Sequence, residues 1–376
     1  MPEDNNPFPV TGYMGPATFC NREKEIALLR NNIRRGLNTT LFSIRRLGKT
    51  GLIQHLFHTI TNSKTATIYV DVLGTANLRE FAGSLATAIF KRFPDTKSPG
   101  RMIIDYIKSL RPVISYDGLS GQPEVSFEVQ APRQSEKTIQ QIFQFLDKQN
   151  IKVVFAIDEF QQVLSYPEKN VEAILRSCIQ QLKNTRFIFS GSNQQMMHEI
   201  FNSAKRPFFA SCFNMHLDYI SNEDYAAFIG AMFVKNKRRI SEEAIEFILD
   251  WTLGHTYYTQ FLCNYTYSMS HKNTGISEVR QAALGIHQQN ESNYFLYRNL
   301  LSEAQWLLLT AIAKETRLHQ AHSAKFIKAH GLGTSSMVTR GIEALLNKEM
   351  IFHNSSAEKP YYEVYDKFLM RWLQRM

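Results

Sequence analysis

A short polar loop between an apolar stretch and a helical pattern constrains this chain more than any other feature. Residues 43–50 read Ser-Ile-Arg-Arg-Leu-Gly-Lys-Thr. The apolar run over residues 38–44 predicts a short buried strand, and the residues after the loop predict a helix to about residue 60. A loop that ends in Gly-Lys-Thr between a strand and a helix is typical of phosphate-binding loops, although Ser43 stands where that motif usually has glycine.

The residue types of this loop suit a polyphosphate ligand. The N–H groups at the start of a helix converge on phosphate oxygens and carry partial positive charge. Gly48 allows close approach of the backbone, the Lys49 ammonium can reach the β- and γ-phosphates, and the Thr50 hydroxyl can ligate Mg²⁺. The candidate binding set also includes the other residues of the loop and the one after it: Ser43, Arg45, Arg46, Leu47 and Gly51. We expect one of the two arginines to lie close to the ligand.

Two carboxylates follow a second apolar strand. Residues 152–157 read Lys-Val-Val-Phe-Ala-Ile and run directly into Asp158 and Glu159. The carboxyl ends of parallel strands are where open α/β sheets bind their ligands. The pattern predicts that Asp158 holds the Mg²⁺, through water, and that Glu159 polarises the attacking water as a general base. A surface turn with two acidic residues is the alternative interpretation.

A third strand is predicted to end at Ser-Gly-Ser-Asn, residues 190–193. Ser192 or Asn193 is in a position to sense the γ-phosphate or to orient water. A simple left-handed turn at Gly191 explains the same residues, and the sequence leaves both interpretations open.

Arg206 precedes the last predicted strand, in the sequence Lys-Arg-Pro-Phe-Phe. An arginine at this point can stabilise the charge of a phosphoryl-transfer transition state, in its own chain or in a neighbouring subunit. A solvated basic loop is the alternative.

Apolar strands alternate with helical patterns over the first 220 residues. The predicted strands are residues 38–44, 65–72, 152–157, 186–190 and 213–217. Strands that are apolar throughout and alternate with helices indicate an α/β fold with a parallel sheet covered on both faces. A helix is also predicted near residues 102–110, and residues 112–129 predict a β-hairpin around a turn at 117–123.

The pattern changes after residue 221, first to helices alone and then to three helices and two short strands, which indicate a winged helix. Asn21 is the predicted N-cap of a helix that ends near residue 35. The predicted domains are an N-terminal arm (1–18), an α/β core (19–220) with a hairpin insert (about 112–130), a helical lid (221–297) and a winged helix (298–376).

Composition and charge limit the kinds of partner and the cellular location that we expect for this chain. The chain has 376 residues, and its 43 Lys and Arg against 34 Asp and Glu give a net charge of +9, which permits an anionic partner without identifying one. No apolar run approaches the ~20 residues of a membrane-spanning helix. The four cysteines form no paired spacing, and the acidic N-terminus does not resemble a signal peptide. We expect a soluble, cytoplasmic protein with no membrane partner.

Together these motifs resemble the archaeal-type ATPases of the STAND class of P-loop NTPases, close relatives of the AAA+ proteins. The resemblance runs from Phe19 to the C-terminus, and the segments that carry it are residues 19–25, 45–50, 157–161, 190–192, 206–209, 254–260 and 365–369. Residues 254–260, Gly-His-Thr-Tyr-Tyr-Thr-Gln, are similar to the Gly-x-Pro-Tyr-x-x-Gln motif of the family lid. Thr256 stands where that motif usually has proline.

The resemblance implies an ATP–Mg²⁺ site between the sheet domain and the helical lid. It implies that adenine packs near residues 19–22, which adds Asn21 and Arg22 to the candidate binding residues. We therefore expect an ATPase that binds ATP or ADP and acts as a molecular switch. Its expected partner is an unidentified protein or a second copy of the chain.

The winged helix also invites a DNA-binding interpretation. Residues 298–376 carry 11 Lys and Arg against 7 Asp and Glu, and the predicted recognition helix has Arg340 and Lys348 offset by Glu343 and Glu349. A sequence-reading helix usually offers more phosphate and base contacts, so this charge pattern favours protein contact. A nucleotide-regulated DNA-binding protein and a non-hydrolysing, nucleotide-bound scaffold remain the alternative functions.

Overall fold

The computed structural model of the chain describes residues 6–60, 64–93, 112–116, 122–127, 132–148, 151–270, 272–355 and 357–376. The predicted helix at residues 102–110 and most of the predicted hairpin turn lie outside these ranges. The chain divides into two compact units. The core unit comprises Thr11–Tyr219, and the C-terminal unit comprises Ile220–Met376 together with Met1–Val10.

The core unit alternates strands and helices as the sequence predicts. Its described elements are α1 (Glu23–Arg34), β1 (Thr39–Phe42), α2 (Lys49–Thr59), β2 (Thr65–Asp71), α3 (Leu78–Arg92), β3 (Pro112–Tyr116), β4 (Pro123–Phe127), α4 (Pro132–Lys148), β5 (Lys152–Asp158), α5 (Val171–Gln180), β6 (Thr185–Ser190), α6 (Gln194–Asn202) and β7 (Phe213–His216).

A five-stranded sheet in the order β2-β5-β6-β1-β7 forms the centre of this unit. Every pair of neighbouring strands in it is parallel. Two buried apolar clusters flank the sheet, one around Phe155 and Phe187 and the other around Leu41 and Ile188. The predicted α/β fold is confirmed, and parallel pairing brings the carboxyl ends of β1, β5 and β6 to one edge.

The predicted hairpin is confirmed as the antiparallel pair β3–β4, which packs across α3 and does not join the large sheet. Val125 of the hairpin contacts α3 through its backbone. The Val125 N–H donates to the Thr87 hydroxyl oxygen at 2.8 Å. A Cβ at Gly83 would lie 2.9 Å from the Val125 carbonyl oxygen, so a glycine is needed where the hairpin crosses α3.

One local prediction in the core unit is wrong, and one of two interpretations that the sequence left open is excluded. Asn21 is not the N-cap of α1, because Arg22 occupies that position and both residues are left-handed, with φ of 55° and 82°. The Asn21 side chain accepts a hydrogen bond from the adjacent Arg22 N–H and no longer caps the helix. The left-handed turn at Gly191 is also absent, since the residues with positive φ among those described do not include it. A Cβ there would meet the side chains of Gln161 and Met197, and both would have to shift to accommodate it.

The C-terminal unit is helical with short strands. Its described elements are α7 (Asn222–Lys235), β8 (Arg239–Ile240), α8 (Glu242–Thr252), α9 (Thr256–Met269), β9 (Asn273–Thr274), α10 (Ile276–Leu300), α11 (Glu303–Glu315), α12 (Ala324–Ala329), α13 (Ser335–Asn347), β10 (Ile351–Asn354), β11 (Tyr361–Val364) and α14 (Lys367–Leu373).

Helices α11, α12 and α13 and the hairpin β10–β11 form the predicted winged helix. Ser302, Ser323 and Thr334 cap the three helices, each side chain accepting from a backbone N–H in the first turn. Helix α10 runs without interruption through the predicted lid boundary at residues 297 and 298. The lid and the winged helix therefore share one long helix.

Part of the predicted N-terminal arm is ordered on the C-terminal unit. Phe8 is fully buried, with its ring 5.6 Å from that of Phe233 and 6.1 Å from that of Tyr267. The Asn6 amide donates to the Asn264 carbonyl, and the Asn264 amide donates to the Phe8 carbonyl, both at 2.8 Å. Among the described residues, no helix has the length and apolar character needed to cross a membrane.

Candidate functional site

The loop between β1 and α2 has the geometry of an anion cradle. Gly48 is the N-cap of α2 with φ of 102°, a conformation that L side chains rarely adopt. Leu47 and Ser43 are buried, and the Ser43 hydroxyl donates to the Ile44 carbonyl at 2.7 Å. Two residues of the loop therefore anchor it, and the start of α2 presents its N–H groups at the carboxyl edge of the sheet.

Lys49 lies inside this loop. Its side chain is buried, and its ammonium donates to the Ile44 carbonyl at 3.4 Å. Burial lowers the pKa of Lys49, and the charges of Asp158 and Glu159 oppose that shift. A phosphate group in the loop would add negative charge beside this buried ammonium and favour its charged form.

The Asp158 carboxylate accepts four hydrogen bonds. Its Oδ2 atom accepts from the Thr50 hydroxyl at 2.7 Å and from the Tyr69 hydroxyl at 2.9 Å. Its Oδ1 atom accepts from the Ser190 hydroxyl at 2.7 Å and from the Glu159 N–H at 3.1 Å. The structure thus brings together the two residues predicted to bind the metal, Thr50 at the start of α2 and Asp158 at the end of β5, which are 108 residues apart in sequence.

This donor set fits magnesium. Mg²⁺ prefers oxygen ligands and usually binds through one or two carboxylates, substrate phosphates and water. A hydroxyl that gives its proton to a carboxylate keeps its lone pairs for a cation, and Thr50 makes that donation to Asp158. Among the described residues there is no group of three or more His, Cys, Asp and Glu that could hold a metal alone. Thr50 and Asp158 are therefore the residues that would hold a Mg²⁺ bound together with a nucleotide.

Glu159 is held on one oxygen. Its Oε2 atom accepts from the Gln161 amide at 2.6 Å, from the Ser192 hydroxyl at 2.7 Å and from the Ser192 N–H at 3.0 Å. Its backbone is left-handed with φ of 56°, and strained non-glycine residues of this kind cluster at functional sites. Of the two predicted water-orienting residues, Ser192 contacts Glu159, whereas Asn193 caps α6 by accepting from the Met196 N–H.

The segment predicted to approach adenine packs against α2. The Phe19 ring stacks on the His55 ring with centroids 4.1 Å apart, and a Cβ at Gly51 would lie 3.7 Å from Phe19. Arg22 is buried and donates to Glu25 at 2.7 Å. Its other terminal nitrogen, Nη2, is buried and has no hydrogen-bond partner among the described residues.

Three arginines were also predicted to serve the site: Arg45, Arg46 and Arg206. Arg45 and Arg46 are exposed on the loop. Arg206 donates to Glu172 at 2.7 Å and also pairs with Glu199, so its guanidinium belongs to an ion-pair cluster and is not among the donors to Asp158.

In the C-terminal unit, Thr256 is the first residue of α9, after Gly254 in a left-handed conformation and His255 as N-cap. Proline is favoured at this first helical position, where its missing N–H has no partner in any case. Threonine begins the same helix here, so the departure from the family motif leaves the helix start intact.

Sequence reasoning missed three residues that touch the carboxylates: Tyr69, Ser190 and Gln161. Ser190 is the last residue of β6, and a strand-end serine next to a predicted acidic site is a usable signal. Tyr69 reads as an ordinary strand residue, and only the pairing of β2 with β5 places it beside Asp158.

Family models identify the family of the chain, and solved structures share its fold. The chain belongs to the family described as ATPase domain predominantly from Archaea, whose model matches residues 19–260. A second model, described as "Probable winged helix domain", matches residues 292–375. No curated protein sequence matches the chain.

The solved structures extend the likeness over both units. A Walker-type ATPase of Pyrococcus abyssi is 14% identical, with 98% of this chain and 100% of that chain covered and a TM-score of 0.66. The ORC2 protein of Aeropyrum pernix, in ADPNP–ADP complexes, is 14% identical, with 99% and 96% covered and a TM-score of 0.60. The ORC1 protein of Aeropyrum pernix in complex with DNA is 11% identical, with 95% and 92% covered and a TM-score of 0.51. At these identities the likeness shows the fold, and the predicted P-loop NTPase core with a winged helix is confirmed.

Proposed function

We propose that this chain binds ATP with Mg²⁺ at residues 43–50, hydrolyses it, and acts as a molecular switch of the STAND type. The observation that carries the proposal is the 2.7 Å contact between the Thr50 hydroxyl and Asp158. It joins the two halves of the candidate site, the phosphate-binding loop and the end of β5. Membership of the ATPase-domain family supports the same conclusion.

Each side chain then has a distinct role. Lys49 and the start of α2 bind the phosphates, and Thr50 and Asp158 hold the Mg²⁺, which would neutralise charge on the phosphates during transfer. Glu159 accepts the proton of the attacking water, and Ser192 fixes the orientation of Glu159 through two hydrogen bonds. For Arg206 to stabilise the transition state, its guanidinium would first have to leave its ion pairs with Glu172 and Glu199.

The switch output is proposed to be a protein contact of the C-terminal unit, with a partner protein or a second copy. Helix α13 of the winged helix exposes Met337 beside Arg340, and α11 exposes Leu307. Exposed apolar side chains at a common groove suit protein contact better than phosphate contact. Leu307, Met337 and Arg340 all line one cavity of about 380 Å³.

Nucleotide-regulated DNA binding is the second candidate function. Two observations favour this function: the winged helix, and a fold shared with an ORC protein whose structure was solved in complex with DNA. It predicts duplex binding that weakens with salt and with Arg340→Ala. Binding that is absent at low salt would remove this candidate.

The proposed function is tested by Mg²⁺-dependent ATP hydrolysis and nucleotide binding in the parent protein, Lys49→Ala and Glu159→Gln. We expect Lys49→Ala to lose tight binding, and Glu159→Gln to bind as the parent does while losing at least ~100-fold in turnover. Glu124→Gln, an exposed acid on β4, is the matched control and keeps full activity. Turnover by Glu159→Gln at the parent rate would refute the base assignment, and binding without turnover in the parent would favour the scaffold.

A further inference from the structure

Tyr69 links an outer strand of the sheet to the candidate metal site. It lies on β2, which pairs with β5 alone in the described sheet. Its hydroxyl donates to Oδ2 of Asp158 at 2.9 Å, the same oxygen that accepts from Thr50 at 2.7 Å. Two hydroxyl donors from two different elements therefore fix one oxygen of the carboxylate.

Strand register explains the contact. Asp71 is in register with Asp158 and Tyr69 is in register with Ala156, so Tyr69 lies one pleat before the carboxylate on the same face of the sheet. The length of the tyrosine ring carries its hydroxyl to the end of β5. A shorter hydroxyl side chain at this position would not reach Asp158.

We propose that Tyr69 is a positioning residue for the magnesium site, which holds the Asp158 carboxylate in the orientation that accepts the Thr50 proton. The inference rests on the proposed function. While Thr50 gives its proton to Asp158, its lone pairs remain available to Mg²⁺. A carboxylate that rotates away loses this effect, and outer-shell partners of this kind typically change metal affinity 10–100-fold.

The remaining hydrogen bonds to Asp158 fall on its other oxygen. Ser190 and the Glu159 N–H both donate to Oδ1. Among the described residues, Oδ2 has only Thr50 and Tyr69 as hydrogen-bond donors. Without the Tyr69 hydroxyl, Oδ2 would accept from Thr50 alone, so no second donor would hold the oxygen that receives the Thr50 proton.

The hydroxyl is the part of Tyr69 that contacts Asp158. Its ring packs beside the apolar cluster around Leu41 and Ile188. Tyr69→Phe keeps that packing and removes the hydroxyl alone.

The test compares the full-length parent, Tyr69→Phe and Tyr166→Phe. Tyr166 is the matched control because its buried hydroxyl bonds to Thr75, away from the donors to Asp158. Binding of ADP is measured by calorimetry in Mg²⁺ and in EDTA, and Mn²⁺ binding to the ADP complex is followed by electron paramagnetic resonance. We expect Tyr69→Phe to weaken metal binding about 10-fold while ADP affinity in EDTA stays within about twofold. Tyr166→Phe should match the parent in both.

The remaining outcomes would contradict the proposed role of Tyr69. Metal affinity of Tyr69→Phe equal to that of the parent would refute the positioning role, and so would an equal loss of ADP affinity in EDTA, since that indicates general damage to the loop. Failure of the parent to bind ADP in either condition would overturn the proposed function and the inference with it. A parent that binds ADP and Mn²⁺ normally beside an unchanged Tyr69→Phe would overturn the inference alone.

Discussion

The Ser192 hydroxyl donates to Oε2 of Glu159 at 2.7 Å, and the Ser192 N–H donates to the same oxygen at 3.0 Å. These two bonds join the loop after β6 to the residue that follows β5. Ser190, two residues earlier, donates to Asp158. The end of β6 therefore positions both acidic residues of the candidate site, the proposed metal ligand Asp158 and the proposed general base Glu159.

Ser192→Ala should lower the turnover number about 10-fold with little change in nucleotide affinity, because it removes a donor that orients Glu159. Steady-state kinetics and nucleotide titration check this.

Asn193→Ala is the matched control for Ser192→Ala. It removes the cap of α6 and should lower the free energy of unfolding by about 1 kcal/mol, while turnover per folded molecule persists. If Asn193→Ala reduces turnover and Ser192→Ala does not, the assignment of the two residues is reversed.

Lys49→Met should stabilise the nucleotide-free protein although it abolishes tight nucleotide binding. Burial lowers the pKa of Lys49 despite nearby carboxylates, so desolvation of the ammonium outweighs its attractions. An apolar side chain of similar length removes that cost and should add on the order of 1 kcal/mol to the free energy of unfolding. Chemical denaturation measures it, with Arg45→Met on the same loop as an exposed control. A destabilised Lys49→Met would show that the ammonium is well compensated without ligand.

Much of the site could be predicted from sequence because its elements are local. The Gly48-Lys49-Thr50 turn and the acidic pair after β5 each depend on a strand end and a few adjacent residues. Their contact then follows from parallel pairing. Tyr69 could not be predicted, since its role depends on which strand lies beside β5 and in what register.

Two other features escaped prediction for physical reasons. Asparagine is a favoured N-cap residue, but the Asn21 side chain accepts from the adjacent Arg22 N–H, and both residues are left-handed. This local hydrogen bond competes with capping, and the sequence does not reveal which of the two forms. Phe8 lies among Pro, Gly and Asn residues that suggest an extended arm. One buried ring and two amide hydrogen bonds order that segment, and a single aromatic residue gives no periodic signal.

Gly83→Ala should displace the hairpin from α3. The added Cβ would lie 2.9 Å from the Val125 carbonyl oxygen, which is backbone and cannot rotate away. We expect a loss of about 1–3 kcal/mol in stability and faster proteolysis of the hairpin. Gly74→Ala is the control, because a Cβ there meets no atom within 4 Å. Equal proteolysis rates in the two variants would contradict the packing argument.

His287 should make the C-terminal unit sensitive to acid. Burial, followed by the charge of Arg375, lowers the pKa of His287 to about 4 from its ordinary 6.5, and the Trp251 and Tyr294 rings pack around it. The folded state therefore favours the neutral ring, and its stability falls as pH decreases from 6.5 to about 4. His287→Gln should flatten this dependence in thermal unfolding, whereas the exposed His319→Gln should leave it unchanged. Parallel pH profiles for all three proteins would refute the assignment.

A fully buried ion pair joins Glu363 on β11 of the winged helix to Lys367 on α14. The Lys367 ammonium also donates to the Val364 carbonyl at 2.6 Å, and Arg317 donates to Glu363 at 3.1 Å. Glu363→Gln keeps the shape but leaves the ammonium without its counter-charge. We expect a loss of about 3–5 kcal/mol in the free energy of unfolding, measured by chemical denaturation.

The double variant Glu363→Gln with Lys367→Met provides the control for that loss. Removing both charges abolishes the desolvated ammonium, so most of the lost stability should return and the two substitutions should be strongly non-additive. Additive losses would show that the residues contribute separately through packing. If Glu363→Gln alone has no effect on stability while the double variant unfolds, then the Lys367 side chain, and not the charge pair, holds α14 against the hairpin.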